Sequence, residues 1–82
     1  MRKSIHTTQY RALLKLLIKA RETRGITQVM LARRLQMTQS AVSKVERGER
    51  RLDVVELHTW CAALGVPFVK FAGELDADLR KL

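Results

Sequence analysis

The 82-residue sequence has the length of one small domain, which excludes a multidomain enzyme, and residues 1–82 are expected to fold as a single unit. Its 16 Lys and Arg residues against 8 Asp and Glu give a net charge of +8, which indicates a polyanionic partner. Thirteen basic and three acidic residues lie in 1–51, a net +10, whereas residues 52–82 carry −2. The first part is expected to face phosphates and the second to face protein or water, because a merely solubilising surface does not require this segregation.

Cysteine usage and hydropathy indicate the cellular context. Cys61 has no second cysteine in the chain to pair with, which is typical of a reducing compartment, so a cytoplasmic protein is expected. No apolar run approaches the roughly 20 residues that a membrane span needs, and lysines interrupt the apolar stretch near the start. We therefore expect no membrane partner.

Helical periodicity begins near the start of the chain. Apolar side chains at i, i+3, i+4 and i+7 predict a first helix over about residues 8–23, and Gly25 ends it because glycine readily takes a positive φ. Thr27 is a good N-cap for a short second helix through Leu35.

A third short helix follows after three residues. Thr38 is its expected cap, and Gly48 is its C-terminal stop. On a helical wheel Ala41, Val42 and Val45 share one arc, and polar residues occupy the opposite arc. One face therefore packs, and the other is free to contact something polar.

Two further helices complete the predicted all-α fold. Asp53 and Glu56 form a capping box at the start of helix 4, about residues 54–64. Pro67 suits the first position of helix 5, about residues 67–80. The residues expected in the core are Leu31, Leu35, Val42, Val45, Leu57, Trp60 and Leu64.

Three motifs within residues 27–48, TQVMLA, QSAVS and ERG, carry a family resemblance. At these spacings the chain resembles the lambda repressor/Cro family, also called the XRE family. The resemblance implies a compact five-helix DNA-binding domain with a helix-turn-helix at about residues 27–47. Two departures are visible: Gln36 replaces the family's usual turn glycine, where a positive φ costs about 1 kcal/mol, and Leu52 stands where a proline is frequent.

The third helix is the expected recognition element. A helix about 10 to 12 Å across fits the major groove, with its N-terminal residues at the base edges. The Gln39 side chain offers a donor and an acceptor that match adenine N6 and N7, and Lys44 reaches guanine or a phosphate. The predicted base-contacting residues are Gln39, Ser40, Ser43 and Lys44.

Phosphate contacts are expected around this helix. The predicted set is Thr27, Gln28, Thr38, Arg47, Arg50 and Arg51. By resemblance, Gln28 grips a phosphate at the start of helix 2 and also buttresses Gln39, and Arg21 and Glu46 form a salt bridge between helices 1 and 3. For the arginines after helix 3, an ordinary solvated loop is the alternative.

Catalytic and metal chemistry is not indicated. His58 and Cys61 have i, i+3 spacing, but no second pair of ligands accompanies them, so neither a metal nor a cofactor is expected. We find no catalytic constellation and expect a protein that is not an enzyme.

The leading hypothesis is a sequence-specific double-stranded DNA-binding regulator, a repressor that binds a palindromic operator as a homodimer. An apolar strip on helix 5 is the expected dimer interface, formed by Phe68, Phe71, Ala72, Leu75 and Leu79. The alternative is a protein-interaction module, such as an antitoxin, whose main partner is a toxin or another regulator. A membrane-surface peptide is a third class. By resemblance a phage repressor, a restriction-modification controller and an antitoxin all remain open.

Overall fold

A computed structural model describes residues 7–82, and within this range the chain forms five α-helices and no strand, which confirms the all-α class. The helices are α1 Thr8–Thr23, α2 Gln28–Leu35, α3 Gln39–Glu46, α4 Val54–Leu64 and α5 Phe68–Arg80. The two short helices α2 and α3 pack on each other, with α1 against α3 and α4 against α2, and α5 packs against α1 and α4.

Side-chain caps explain where the helices begin. Oγ1 of Thr27 accepts a hydrogen bond from the backbone N–H of Met30 at 3.1 Å, and Oγ1 of Thr38 accepts one from Ala41 at 3.0 Å. At α4, Asp53 and Glu56 form the expected reciprocal capping box. These local signals are in the sequence, and the helix starts at α2, α3 and α4 agree with the expected ones.

The backbone of the turn between α2 and α3 is left-handed at Gln36, the position where the family usually has a glycine. Gln36 has φ 56° and ψ 43°, and it is the one non-glycine residue with a positive φ in the described range. The backbone N–H of Met37 donates to the carbonyl of Ala32 at 2.9 Å, which closes the end of α2. Holding this conformation without glycine costs about 1 kcal/mol.

All five helices contribute to one core. Its least exposed side chains include Leu31 of α2, Val42 and Val45 of α3, Leu64 of α4 and Phe71 of α5. Six of the seven predicted core residues are buried. The prediction for Leu35 is wrong: this residue is half-buried, because it ends α2 at the edge of the core.

Two expectations about α5 are corrected. Pro67 is the N-cap and precedes the helix, which begins at Phe68. Phe71 is only 1% exposed and packs in the core of its own chain, so it is not available to a second copy. The remaining residues of the expected dimer strip, Phe68, Ala72, Leu75 and Leu79, are half-buried.

Cys61 is fully buried in α4, and this burial raises the pKa of its thiol.

Between residues 7 and 82, no single helix has both the length and the apolar character to cross a membrane. Only α4 and α5 together reach that length and apolar character, and a 114° bend separates them.

Candidate nucleic-acid interface

The outer face of α3 displays polar side chains over an apolar underside. Gln39, Ser40 and Lys44 are exposed, whereas Val42 and Val45 are completely buried. The fourth predicted base-contacting residue, Ser43, is half-buried, and its Oγ accepts a hydrogen bond from Arg47. Packing therefore fixes the helix from below and leaves its polar groups available on the outside.

An ion pair between α1 and α3 fixes the end of α3. Nε of Arg21 donates to Oε2 of Glu46 at 2.7 Å, and Nη2 of Arg21 donates to Oε1 at 3.1 Å. Nη1 of Arg21 also donates to the carbonyl of Ile26 at 2.8 Å. The bidentate pair is largely buried, with side-chain exposures of 11% and 5%. This is the pair that the family resemblance implies.

The amide of Gln28 connects this ion pair to the polar face of α3. Nε2 of Gln28 donates to Oε1 of Glu46 at 2.8 Å. Nε2 of Gln39 in turn donates to Oε1 of Gln28 at 2.6 Å. Hydrogen bonds thus run without interruption from Arg21 to the exposed end of Gln39, and Gln28 occupies the buttressing position that the resemblance implies.

The predicted phosphate-contacting threonines are helix caps. Because each Oγ1 acts as an acceptor for a backbone N–H, the hydroxyl hydrogens of Thr27 and Thr38 remain available to an external acceptor. Both hydroxyls lie at helix N-termini, where free backbone N–H groups and the helix dipole favour anions.

The predicted arginines follow α3 in a segment that we call the arginine loop, residues 47–51. Arg47 donates to Glu49 at 2.8 Å, and both side chains are about half exposed, at 54% and 53%. Hydrogen bonding to Arg47 lowers the pKa of Glu49, and the same bond raises the pKa of Arg47. Arg50 pairs with Glu56 of α4 at 2.9 Å. Arg47 and Arg50 are therefore each partly neutralised by a nearby acid.

Tyr10 attaches the end of the arginine loop to α1, a contact that sequence reasoning missed. The backbone N–H of Leu52 donates to Oη of Tyr10 at 3.0 Å, and Cζ of Arg51 lies 4.5 Å from the centroid of the Tyr10 ring. A proline at position 52 would remove this donor. The departure from proline was the only available signal, and it did not identify a partner 42 residues away.

The predicted DNA-contacting residues lie on α2, on α3 and in the arginine loop, and several of them are joined by hydrogen bonds. Gln28 and Gln39 are linked directly, and Ser43 is linked to Arg47. The helix-5 strip belongs to a different element, which packs against α1 and α4. The exposed polar face of α3, with arginines after it, offers the kinds of donor and acceptor groups that major-groove binding requires.

Comparison with known proteins identifies the family. A helix-turn-helix family model matches residues 17–71. The structure of an XRE-family like protein from Pseudomonas syringae pv. tomato str. DC3000 is 47% identical, with a TM-score of 0.83 and coverage of 90% of both chains. No curated protein matches the chain.

Two structures of the restriction-modification controller protein C.Esp1396I are also similar. A variant of that controller is 25% identical with a TM-score of 0.81, over 92% of this chain and 95% of that one. The C.Esp1396I tetramer in complex with its natural 35 base-pair operator is 25% identical with a TM-score of 0.79, over 88% and 95%. The helix-turn-helix family model covers more than half of the chain, and the 47% identical structure is that of an XRE-family like protein. The chain therefore belongs to the XRE family of helix-turn-helix DNA-binding regulators.

Proposed function

We propose that this protein binds a specific double-stranded DNA sequence through α3 and represses transcription as a homodimer on a palindromic operator. The observation that carries the proposal is the outer face of α3, where Gln39 is exposed yet tied by hydrogen bonds to a buried ion pair. A solvated surface helix has no need of such support, whereas a helix that reads base edges does.

Base recognition is assigned to the exposed residues of α3. With α3 in the major groove, the Gln39 amide faces adenine, and Ser40 serves several bases as donor or acceptor. Lys44 lies one turn further along the helix and reaches guanine or a phosphate. Because Ser43 is half-buried and bonded to Arg47, we assign it the smallest part in base contact.

Backbone recognition is assigned to groups on both sides of α3. The hydroxyls of Thr27 and Thr38 donate to phosphates at the two helix N-termini, and Gln28 contributes its remaining amide hydrogen. Arg47, Arg50 and Arg51 supply positive charge beyond the other end of α3. These contacts add affinity and fix the register of the protein, but they carry no sequence information.

Dimerisation is assigned to the half-buried apolar residues of α5. Ala72, Leu75 and Leu79 are half-buried, and with Phe68 they form an apolar strip that no longer includes Phe71. Two strips paired about a two-fold axis would place two copies of α3 in successive major grooves about 34 Å apart. The tetramer of the similar controller C.Esp1396I on its operator supports assembly on DNA as part of this proposal.

The recognition test begins with selection of bound duplexes from random DNA by the purified protein. Gln39→Ala is expected to weaken binding to the selected site by about 1 to 3 kcal/mol and to relax the preference at one base pair per half-site. Gln9→Ala, an exposed glutamine on α1, is the matched control and should behave as wild type. Failure to enrich any sequence would reject the proposal and favour the protein-interaction module.

The dimer test uses Leu75→Asp, which places a charge in the strip without opening the core. Sedimentation equilibrium of the wild type at micromolar concentration should give about twice the monomer mass of 9.4 kDa. Leu75→Asp should give the monomer and should weaken binding to the selected palindrome. Val69→Asp, at an 83% exposed position of the same helix, is the control. A wild type that stays monomeric free and on DNA would rule out the dimer.

A further inference from the structure

We infer that Glu46 is a positioning residue for sequence recognition: its carboxylate sets which way the Gln39 amide faces and thereby commits that contact to adenine. The inference rests on the proposed function and extends it from the contacting residue to a buried charge behind it. Three hydrogen-bonded steps separate Arg21 from Gln39, and each step limits the next.

The first step is fixed by charge. An ionised carboxylate only accepts hydrogen bonds, and both oxygens of Glu46 already receive one from Arg21. Oε1 of Glu46 therefore acts as an acceptor toward Gln28, and the Gln28 side chain must donate to it through Nε2. The alternative amide orientation would place the Gln28 oxygen against a carboxylate, which is repulsive.

The second step transmits this orientation to α3. Because Nε2 of Gln28 faces Glu46, Oε1 of Gln28 is the atom that remains for Gln39. An amide oxygen accepts, so Gln39 must direct one Nε2 hydrogen inward, across the 2.6 Å contact. What Gln39 retains for the groove is one N–H donor and its Oε1 acceptor, in a set order.

That order matches one base. Adenine presents N7 as an acceptor beside its N6 amino donor, so a glutamine pairs with it through one N–H and one carbonyl oxygen. The terminal torsion of a free glutamine is broad and roughly two-fold, so both orders of donor and acceptor would be populated. Fixing the order before binding removes that ordering cost for adenine and opposes bases that need the reverse arrangement.

Burial makes the arrangement robust. The Glu46 side chain is 5% exposed and the Arg21 side chain 11%, so little water competes with Gln28 for the carboxylate. Within residues 7–82 every buried side-chain nitrogen and oxygen has a hydrogen-bond partner, so this network contains no unpaired buried group. The exposed Gln39 therefore inherits its orientation from a charge that DNA does not contact.

The experiment measures base discrimination at the base pair whose preference Gln39→Ala abolishes. Relative dissociation constants for all four base pairs at that position are compared in wild type, Glu46→Gln, Gln28→Met, the double variant and Gln9→Met. Gln28→Met cuts the connection but keeps the Arg21–Glu46 pair, so it carries the test even where Glu46→Gln lowers stability. Gln9→Met makes the same exchange at an exposed position of α1 outside this network.

The wild type should prefer adenine by about tenfold or more. Glu46→Gln and Gln28→Met should each reduce that ratio at least threefold and leave the ratios at other positions within twofold, and the double variant should lose no more than either single variant. A purely structural role for Glu46 would weaken all sequences equally, and that result overturns the inference. The inference is also overturned if Gln28→Met keeps the wild-type preference for adenine at this position. A wild type with no sequence preference rejects the proposed function itself.

Discussion

The polar face of α3 and the arginine loop adjoin each other in the chain, and their side chains are held in opposite ways. Gln39 is held through Gln28 by an ion pair whose members are 11% and 5% exposed. In the loop, Arg47 pairs with Glu49, two residues away, with about half of each side chain in solvent. Gln39 therefore depends on long-range contacts from a buried charge, and Arg47 depends on a local contact at the surface.

This difference corresponds to two tasks in DNA binding. Reading a base edge requires a side chain held close to one geometry, which a buried anchor provides. Contacting a phosphate requires reach and charge, and an exposed, screened ion pair contributes little to stability and exchanges readily for another anion. The α3 face should therefore control specificity, whereas the arginine loop should control affinity and its salt dependence.

Removing the buried anchor should have the largest effect. Arg21→Ala leaves Glu46 buried without its cation, and we expect a loss of about 3 to 5 kcal/mol in the free energy of unfolding. Chemical denaturation followed by circular dichroism measures it. Arg80→Ala, which breaks an exposed i, i+4 pair with Asp76 on α5, is the control and should change stability by less than about 0.5 kcal/mol. Equal, small effects of both variants would contradict the distinction between the two regions.

Tyr10→Phe tests where the arginine loop becomes part of the core. The change removes one oxygen atom and leaves the buried backbone N–H of Leu52 without its acceptor, so we expect a cost of about 1 to 3 kcal/mol. The Phe ring retains its packing and its contact with Arg51. Hydrogen exchange at the Leu52 amide should accelerate, while the Leu31 amide in α2 serves as the internal reference. An unchanged exchange rate at Leu52 would show that this bond does not hold the loop.

Local signals account for what the sequence predicted well. Helix starts depend on a cap and its neighbours within one turn, so Thr27, Thr38 and the Asp53–Glu56 box were readable without tertiary information. The left-handed turn at Gln36 was also foreseen, because the family resemblance places a glycine there.

Tertiary contacts account for the errors and the omissions. Periodicity placed Phe71 on an apolar face of α5, but it could not show whether this chain or a second copy covers that face. The same limit explains Leu35, whose helix ends at the edge of the core. The Tyr10 to Leu52 bond and the Gln28 to Glu46 bond join residues 42 and 18 positions apart, and no local pattern encodes such distances.

Arg47→Ala should have a small effect on DNA affinity, and the effect should be the same for all sequences. Loss of one phosphate contact is expected to weaken preferred and mismatched sites by the same factor and to reduce the slope of log K against log salt by about one unit. Fluorescence anisotropy titrations from about 50 to 200 mM salt measure both quantities. A change in the preferred sequence would instead place Arg47 among the base-reading residues, as its bond to Ser43 would then transmit specificity.

Glu49→Gln changes the partner of Arg47 and should have the opposite effect on DNA affinity. Hydrogen bonding to Arg47 keeps the pKa of Glu49 below its ordinary value, so the carboxylate is ionised at neutral pH and competes with phosphate for the guanidinium. Neutralising it should strengthen binding to all sequences by a similar small factor and steepen the salt slope, with the base preference at the Gln39 position unchanged. Arg47→Ala should abolish this gain, because the released cation is then absent. If Glu49→Gln gained affinity equally in the presence and absence of Arg47, long-range charge rather than this local pair would explain the loop's contribution.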